Sequence, residues 1–178
     1  MKRIQKFFKL LPDQTVYDRL KSPVGELILF ASDKGLHHVF WEHEAQLEAF
    51  QVGIQSFKQD VNHPIIVKAK TQLTEYFKGK RQIFDIPLCP HGTDFQLSVW
   101  QELRNIPYGK TISYGEQARR LGDENKARAV GLANGLNQIS IIVPCHRVIG
   151  SNGSLTGFGG GLDNKAKLLE LERGGVCL

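Results

Sequence analysis

Cysteine is scarce in this chain: Cys89, Cys145 and Cys177 are the three in 178 residues. They are too few and too scattered for a disulfide framework, and an odd number suits a reducing compartment where a thiol stays free. No window approaches the ~18 apolar residues of a membrane-spanning helix, so a soluble protein with no membrane partner is expected. Charge of one sign is not in excess either. The formal net charge is +5, spread as 13 basic and 10 acidic residues in 1–92 and 10 and 8 in 93–178. Neither half is a basic module, so charge alone does not point to nucleic acid. With 41% hydrophobic and 23% charged residues, the composition is ordinary for a globular protein and excludes a disordered, collagenous or coiled-coil chain. The length suits one domain or two small ones. The one basic cluster, Lys2, Arg3, Lys6 and Lys9 among Ile4, Phe7, Phe8 and Leu10, lacks the apolar stretch and cleavage site of a targeting segment. It reads as a solvated arm.

The first half reads as mixed strand and helix. Thr15–Leu20, Glu26–Ala31 and Leu36–Trp41 have strand character, and the Gly turns between them favour an antiparallel meander. Glu42–Ser56 and Ile65–Phe77 read as helices, the second with Ile66, Ala69, Leu73 and Phe77 on one stripe. Gln82–Leu88 is expected to be a last strand. No reactive constellation stands out in 1–88. Cys89-Pro90-His91-Gly92-Thr93 reads as a linker between domains at 1–90 and 91–178. Its Cys-x-His pair has no second pair at zinc-site spacing, so no metal site is expected.

The second half carries more signals. Thr93 or Asp94 can cap a helix that buries Phe95, Val99, Trp100 and Leu103. Ser113 can cap a short helix, Tyr114–Leu121, and Lys126–Leu136 follows after Gly122. Two short helices about a Gly turn outline a helix-turn-helix. Ile139–Val143 reads as a buried strand leading to Pro144-Cys145-His146-Arg147-Val148. A Gly-rich loop, 150–161, and a helix from Asp163 to about Arg173 complete the chain.

Cys145 beside His146 is the strongest chemical feature. A thiolate is a nucleophile, and a nearby base or cation populates it. Neighbours in extended chain point to opposite faces, so a water or a local turn is needed to link the two. His146 needs an acidic partner to set its tautomer, and the last helix offers Glu170 and Glu172.

Pro144-Cys145-His146-Arg147-Val148 resembles the active-site signature of the O6-alkylguanine-DNA alkyltransferases. Further blocks follow in that family's order: Phe95-Gln96-x-x-Val99-Trp100, Ile106-Pro107-x-Gly109, Ser113-Tyr114 and Arg128-Ala129-Val130-Gly131. Ala133-Asn134-Gly135-x-Asn137, Gly157-Phe158-x-Gly160-Gly161-Leu162 and Lys165-x-x-Leu168-Leu169-x-x-Glu172 complete the series. The resemblance covers essentially all of 93–178, and Ser22-Pro23-Val24-Gly25 and Gly35-Leu36 extend it more loosely into the first half.

The resemblance implies an α/β (α+β) fold. A small ribonuclease H-like N-terminal domain would precede a mostly helical, winged-helix-like C-terminal domain containing the helix-turn-helix. It implies irreversible, single-turnover transfer of an alkyl group from O6 of guanine in DNA to Cys145, with O4 of thymine left open as a second target. His146 would act through water as the base, Glu172 would orient it, Tyr114 would offer its hydroxyl to the guanine, and Asn137 would be the hinge before the active-site strand. Arg128 would fill the stack vacated by a flipped nucleotide, with Ala127, Ala129 and Gly131 allowing close approach to the DNA. Val148, Phe158, Gly159, Trp100 and Phe95 would line the substrate pocket, where the glycines leave room for larger alkyl groups. The partner is double-stranded DNA carrying O6-alkylguanine. A monomer without cofactor or metal, in the cytoplasm and at the nucleoid if the source is bacterial, is expected.

The chain departs from the family at Gln138, where Pro is usual and a looser turn is expected, and at Phe158, where Tyr is common. Three rival readings are set against this one. A binding-only damage signaller of the same scaffold would lack the cysteine that this chain has. A regulator would carry an extra metal-binding domain, and a thiol hydrolase would need an oxyanion hole.

Overall fold

The computed structural model describes residues 2–175, and of Lys2 and Arg3 only the backbone. Cys177 lies outside the described residues. Helix α1 (Lys2–Phe8) precedes strands β1 (Val16–Ser22), β2 (Gly25–Ser32) and β3 (Gly35–Trp41), which form the expected antiparallel meander. Short helices α2 (Glu42–Ala45) and α3 (Glu48–Ile54) lead to β4 (Lys58–Gln59), which pairs parallel to β1 and gives the sheet order β3-β2-β1-β4. Helix α4 (Pro64–Phe77) then packs across the sheet.

Strand β2 is buried on both faces, which explains its unbroken run Leu27–Ala31. Leu27, Leu29 and Ala31 pack with Ile66, Ala69 and Leu73 of α4. Ile28 and Phe30 point the other way, onto Ile4, Phe7, Phe50 and Ile54. The N-terminal segment is therefore not a solvated arm: two of its apolar residues, Ile4 and Phe7, are 5% exposed. Transfer of such side chains from water outweighs the pull of Lys6 and Lys9, which stay exposed.

Two further expectations are corrected here. Glu42–Ser56 is two helices, because the chain turns at Gln46-Leu47 to bring Phe50 and Ile54 under the sheet. Gln82–Leu88 forms no strand. Only Leu36 bridges to Leu88, through Leu36 N–H to the Pro87 carbonyl and Cys89 N–H to the Leu36 carbonyl, both 2.8 Å. Pro87 has no N–H with which to extend a ladder.

The helical half follows as α5 (Asp94–Leu103), β5 (Ile112–Ser113), α6 (Tyr114–Arg120), a 3-10 turn (Glu124–Lys126) and α7 (Ala127–Gly135). A second 3-10 turn (Cys145–Arg147), β6 (Val148–Ile149) and α8 (Leu162–Glu172) close the chain. Thr93 and Gln96 make a reciprocal capping box at α5, and Ser113 accepts from Glu116 N–H at α6. β5 and β6 pair in parallel. Gln117 of α6 and Asn134 of α7 exchange side-chain hydrogen bonds, which sets the two helices of the helix-turn-helix against each other. One apolar cluster runs from Leu27 and Leu73 through Val99 and Leu103 to Cys145, so the sheet half and the helical half share a core. No helix of the described residues is long and apolar enough to cross a membrane.

Gln138 is not in a looser turn. Its side chain accepts from His91 N–H at 2.9 Å and donates to the His91 carbonyl at 2.7 Å, while its own carbonyl accepts from Val39 N–H at 2.8 Å. Linker, sheet and the exit of α7 are thereby tied at one residue. Gln138→Ala strands both polar groups of His91 at a half-buried position, and a loss of about 1–2 kcal/mol is expected in urea unfolding.

Candidate active site

Cys145 is buried, and it does not end a strand. Ile139–Val143 forms a tight loop in which Val143 N–H reaches the Ile139 carbonyl at 2.9 Å and Ile141 takes φ +75°. With no neighbouring strand to pair with, this buried backbone needs another partner. Asn137 supplies it: Oδ1 accepts from Ile139 N–H at 3.1 Å and Nδ2 donates to the Val143 carbonyl at 2.7 Å. The same Nδ2 lies 3.1 Å from Cys145 Sγ. A β-branched residue at positive φ costs about 1–3 kcal/mol, so this loop carries strain that the surrounding core and the Asn137 bonds hold in place.

The 3-10 turn then places His146 and Arg147 against α8. Glu172, not the exposed Glu170, is the acidic partner. Its Oε1 accepts from His146 Nε2 at 2.7 Å, Arg147 Nη2 at 2.9 Å and the Tyr76 hydroxyl at 2.7 Å. Its Oε2 accepts from Arg147 Nε at 2.9 Å and Gly109 N–H at 3.0 Å. Gly109 sits at φ +71°, where a Cβ would lie 2.7 Å from the Glu172 carbonyl oxygen; any other residue there would clash with α8. Because an ionised Glu172 only accepts, His146 carries its proton on Nε2. Nδ1 is buried and has no hydrogen-bond partner among the described residues.

Electrostatics follow from this burial. Burial alone would raise the Glu172 carboxyl, but the hydrogen bonds and charges of His146 and Arg147 outweigh it and bring it down to about 2. Burial pushes the Cys145 thiol up, against the pull of Asn137, Lys165 and Ser140. Burial likewise lowers His146, although Glu172 pulls it back. Both shifts favour the neutral thiol and neutral imidazole at rest. Lys165, fully buried on α8, donates to the carbonyls of Val148 at 2.6 Å and Thr156 at 2.7 Å. Burial lowers its pKa, and Cys145 acts in the opposite sense.

Tyr114 packs its ring near Gly131 and donates its hydroxyl to the Thr156 carbonyl at 3.1 Å. Arg128 and Ala129 are exposed on α7, with Ala127 and Gly131 half-buried. Val148 is buried, and its carbonyl is one of the two that receive Lys165. Phe158 is half-buried, 5.4 Å from the Trp41 ring and 6.3 Å from His146. Gly159 lines a cleft of about 180 Å³ together with Asn134, Asn137 and Ser140. Of the five expected pocket residues Gly159 alone lines this cleft; Val148, Phe158, Trp100 and Phe95 do not. Trp100 is turned under α7, its indole N–H on the Ala133 carbonyl at 2.9 Å, and Phe95 stands partly exposed on the first turn of α5.

Two family models match the chain: the 6-O-methylguanine DNA methyltransferase ribonuclease-like domain over residues 15–90, and the DNA binding domain of the same name over 94–174. The chain belongs to the 6-O-methylguanine DNA methyltransferase family. A methylated-DNA–protein-cysteine methyltransferase of Methanosarcina acetivorans is 45% identical over 162 residues, 90% of this chain and 99% of the relative. One of Mycobacterium bovis is 59% identical over 105 residues, 59% of this chain and 64% of the relative. The crystal structure of the Mycobacterium tuberculosis O6-methylguanine methyltransferase superposes with a TM-score of 0.80 at 44% identity, covering 90% of this chain and 93% of that one. A further structure from that organism, in complex with DNA, gives 0.77 at the same identity, covering 89% and 92%.

Within this methyltransferase scaffold, sequence reading passed over four residues that the structure brings to the site. Tyr76 lies three positions after Leu73, on the apolar stripe of α4, and reads as core. Lys165 stands seven residues before Glu172 on the same face of α8, and a lysine on an apolar stripe was its available signal. Arg147 was present in the signature without a role. Trp41, from the half in which no reactive constellation stood out, packs on the Gly-rich loop.

The folded Glu172 carboxyl, at about 2, is depressed below its ordinary 4.5, so on acidification the unfolded chain binds the proton first. Its stabilisation of ~3 kcal/mol is complete above about pH 4.5 and is lost as pH falls toward 2. Glu172→Gln leaves Arg147 buried without a counter-charge and should cost about 3–5 kcal/mol near neutrality. Urea unfolding of both proteins from about pH 7 to 3 should show the variant less stable at the start and less sensitive to acid over the lower part of that range.

Proposed function

We propose that this protein repairs DNA by moving an alkyl group from O6 of guanine onto Cys145, once per molecule. The observation that supports this most directly is a buried thiol held by Asn137, next in the chain to a histidine whose tautomer is set by Glu172. In this reading the thiol proton passes through a water to His146 Nδ1. The sulfur forms a bond to the alkyl carbon as the C–O6 bond breaks, with the electron pair going to O6 and the ring. Tyr114 donates toward the ring, and guanine leaves neutral once it takes up a proton, so thiol and alkylguanine become thioether and guanine. The Lys165 cation supports the transient thiolate, and displacement at an sp³ carbon suits a soft sulfur nucleophile.

A stacked base does not expose its O6 substituent for in-line attack, so the nucleotide has to leave the helix at about a few kcal/mol. Arg128 suits the vacated place because a guanidinium stacks and hydrogen-bonds together, and Ala127, Ala129 and Gly131 keep the helix face small. Binding of this kind reads no sequence and needs few base contacts. We assign DNA binding and transfer to 91–178, with 1–90 as the supporting domain, and place the reaction in the cytoplasm.

Incubation with a duplex carrying O6-methylguanine should add one methyl per protein, mapped to Cys145 by peptide mass, and then stop. Repeated turnover, or an unmodified Cys145, refutes the reading, and binding without transfer in the wild-type chain establishes the damage-signalling alternative. Cys145→Ala should bind the duplex and transfer nothing. Arg128→Ala should slow transfer from duplex DNA by about tenfold or more while leaving transfer from single strands less affected; equal rates from duplex DNA remove its flipping role.

A further inference from the structure

In the loop 157–161, Gly160 does not leave open space. A Cβ on Gly160 would stand 2.6–2.7 Å from Cζ2, Cε2 and Cη2 of Trp41, so the indole already occupies the volume that the missing side chain frees. Trp41 ends β3 in the sheet half and is 3% exposed. Its ring meets Phe158 edge-on at 5.4 Å, and its Nε1 is the atom nearest to where a Cβ of Gly159 would be, at 3.7 Å. Together with His43 it walls the cleft whose other side is Asn137, Ser140 and Gly159. Asn137 and Ser140 are the side chains that hydrogen-bond the thiol.

Neither side of this wall is free to retreat. The Trp41 N–H is bonded by Glu44 Oε2 at 3.1 Å, which pins the end of β3. Across the loop, Asn164 Nδ2 donates to the Gly160 carbonyl at 3.0 Å and to the Val24 carbonyl at 2.9 Å, clamping the loop onto the sheet half.

We propose that Trp41 is the specificity-determining residue that limits the size of the alkyl group this protein accepts, so that the N-terminal half forms part of the lesion pocket. A methyl beside Sγ needs least room. A benzyl group needs the space that the indole fills, and in a close-packed pocket such overlap displaces the substrate from in-line geometry. The inference rests on Cys145 being the acceptor.

The test compares single-turnover transfer from O6-methylguanine and O6-benzylguanine in one duplex sequence, for wild type, Trp41→Ala and Trp41→Phe. The ratio of benzyl to methyl rates on one preparation cancels any loss of folded protein. That ratio should rise about tenfold or more in Trp41→Ala, with Trp41→Phe, which keeps an aromatic in the core, between it and wild type. An unchanged or lower ratio in both variants overturns the assignment. If Trp41→Ala does not fold, Trp41→Phe decides by itself: any rise in its ratio supports the proposal, and no rise overturns it. Failure of the wild-type protein to methylate Cys145 at all instead overturns the functional reading, and the two failures are thus distinguishable.

Discussion

The site is organised around one buried carboxylate. Glu172 accepts five hydrogen bonds, from Tyr76, His146, Gly109 and twice from Arg147. A charge out of water is tolerable only when it is paired and its lone pairs are used, and this requirement reaches far along the chain. Tyr76 comes from the helix that covers the sheet, Gly109 from the turn after α5, and His146 and Arg147 from the 3-10 turn that starts at the thiol. Folding the carboxylate therefore brings the two halves of the molecule and the nucleophile's neighbour into one place. Saturating it also keeps it ionised, so that it holds the His146 Nε2 proton without taking it and leaves Nδ1 as the basic nitrogen.

The thiol loop solves a different problem. Residues 139–143 are buried and have no strand beside them, so their backbone groups depend on the Asn137 side chain. The amide that closes the loop also touches Sγ. Support for the backbone and contact with the nucleophile are thus one interaction. Lys165 adds a cation whose hydrogen bonds go to carbonyls and not to a carboxylate, which leaves its charge available to a developing thiolate. Burial opposes ionisation of the cysteine, and these nearby groups offset part of that cost.

Much of the organisation was legible in local pattern. The β1–β3 meander, α4 and the capped helices α5 and α6 follow from apolar periodicity, Gly turns and Ser/Thr caps, all of which act over a few residues. The Ile139–Val143 segment misled for an instructive reason: β-branched residues that are buried look alike in a strand and in a loop held by a side-chain amide. The Gln82–Leu88 segment misled because Pro87 limits it to a single bridge. The solvated reading of residues 2–10 failed because lysine spacing says nothing about which face Ile4 and Phe7 present to a sheet elsewhere in the chain. Gln138 was legible as a departure, but its three hydrogen bonds go to residues 47 and 99 positions away in sequence.

The sequence by itself pointed to the chemistry: an ordered set of blocks around Cys145 and His146 marks the proposed nucleophile and its neighbour, because reactive groups have to be particular residue types. The tertiary structure alone decided who serves them. Glu172 rather than Glu170 meets His146 because α8 turns one of the two inward. Tyr76 joins the carboxylate because its hydroxyl reaches from α4 to the end of α8 inside the shared core, and Trp41 reaches the Gly-rich loop because β3 ends there. Such contacts cross scores of residues and depend on shape and burial. The scarcity of cysteine likewise left the thiol free, while the fold selected its surroundings.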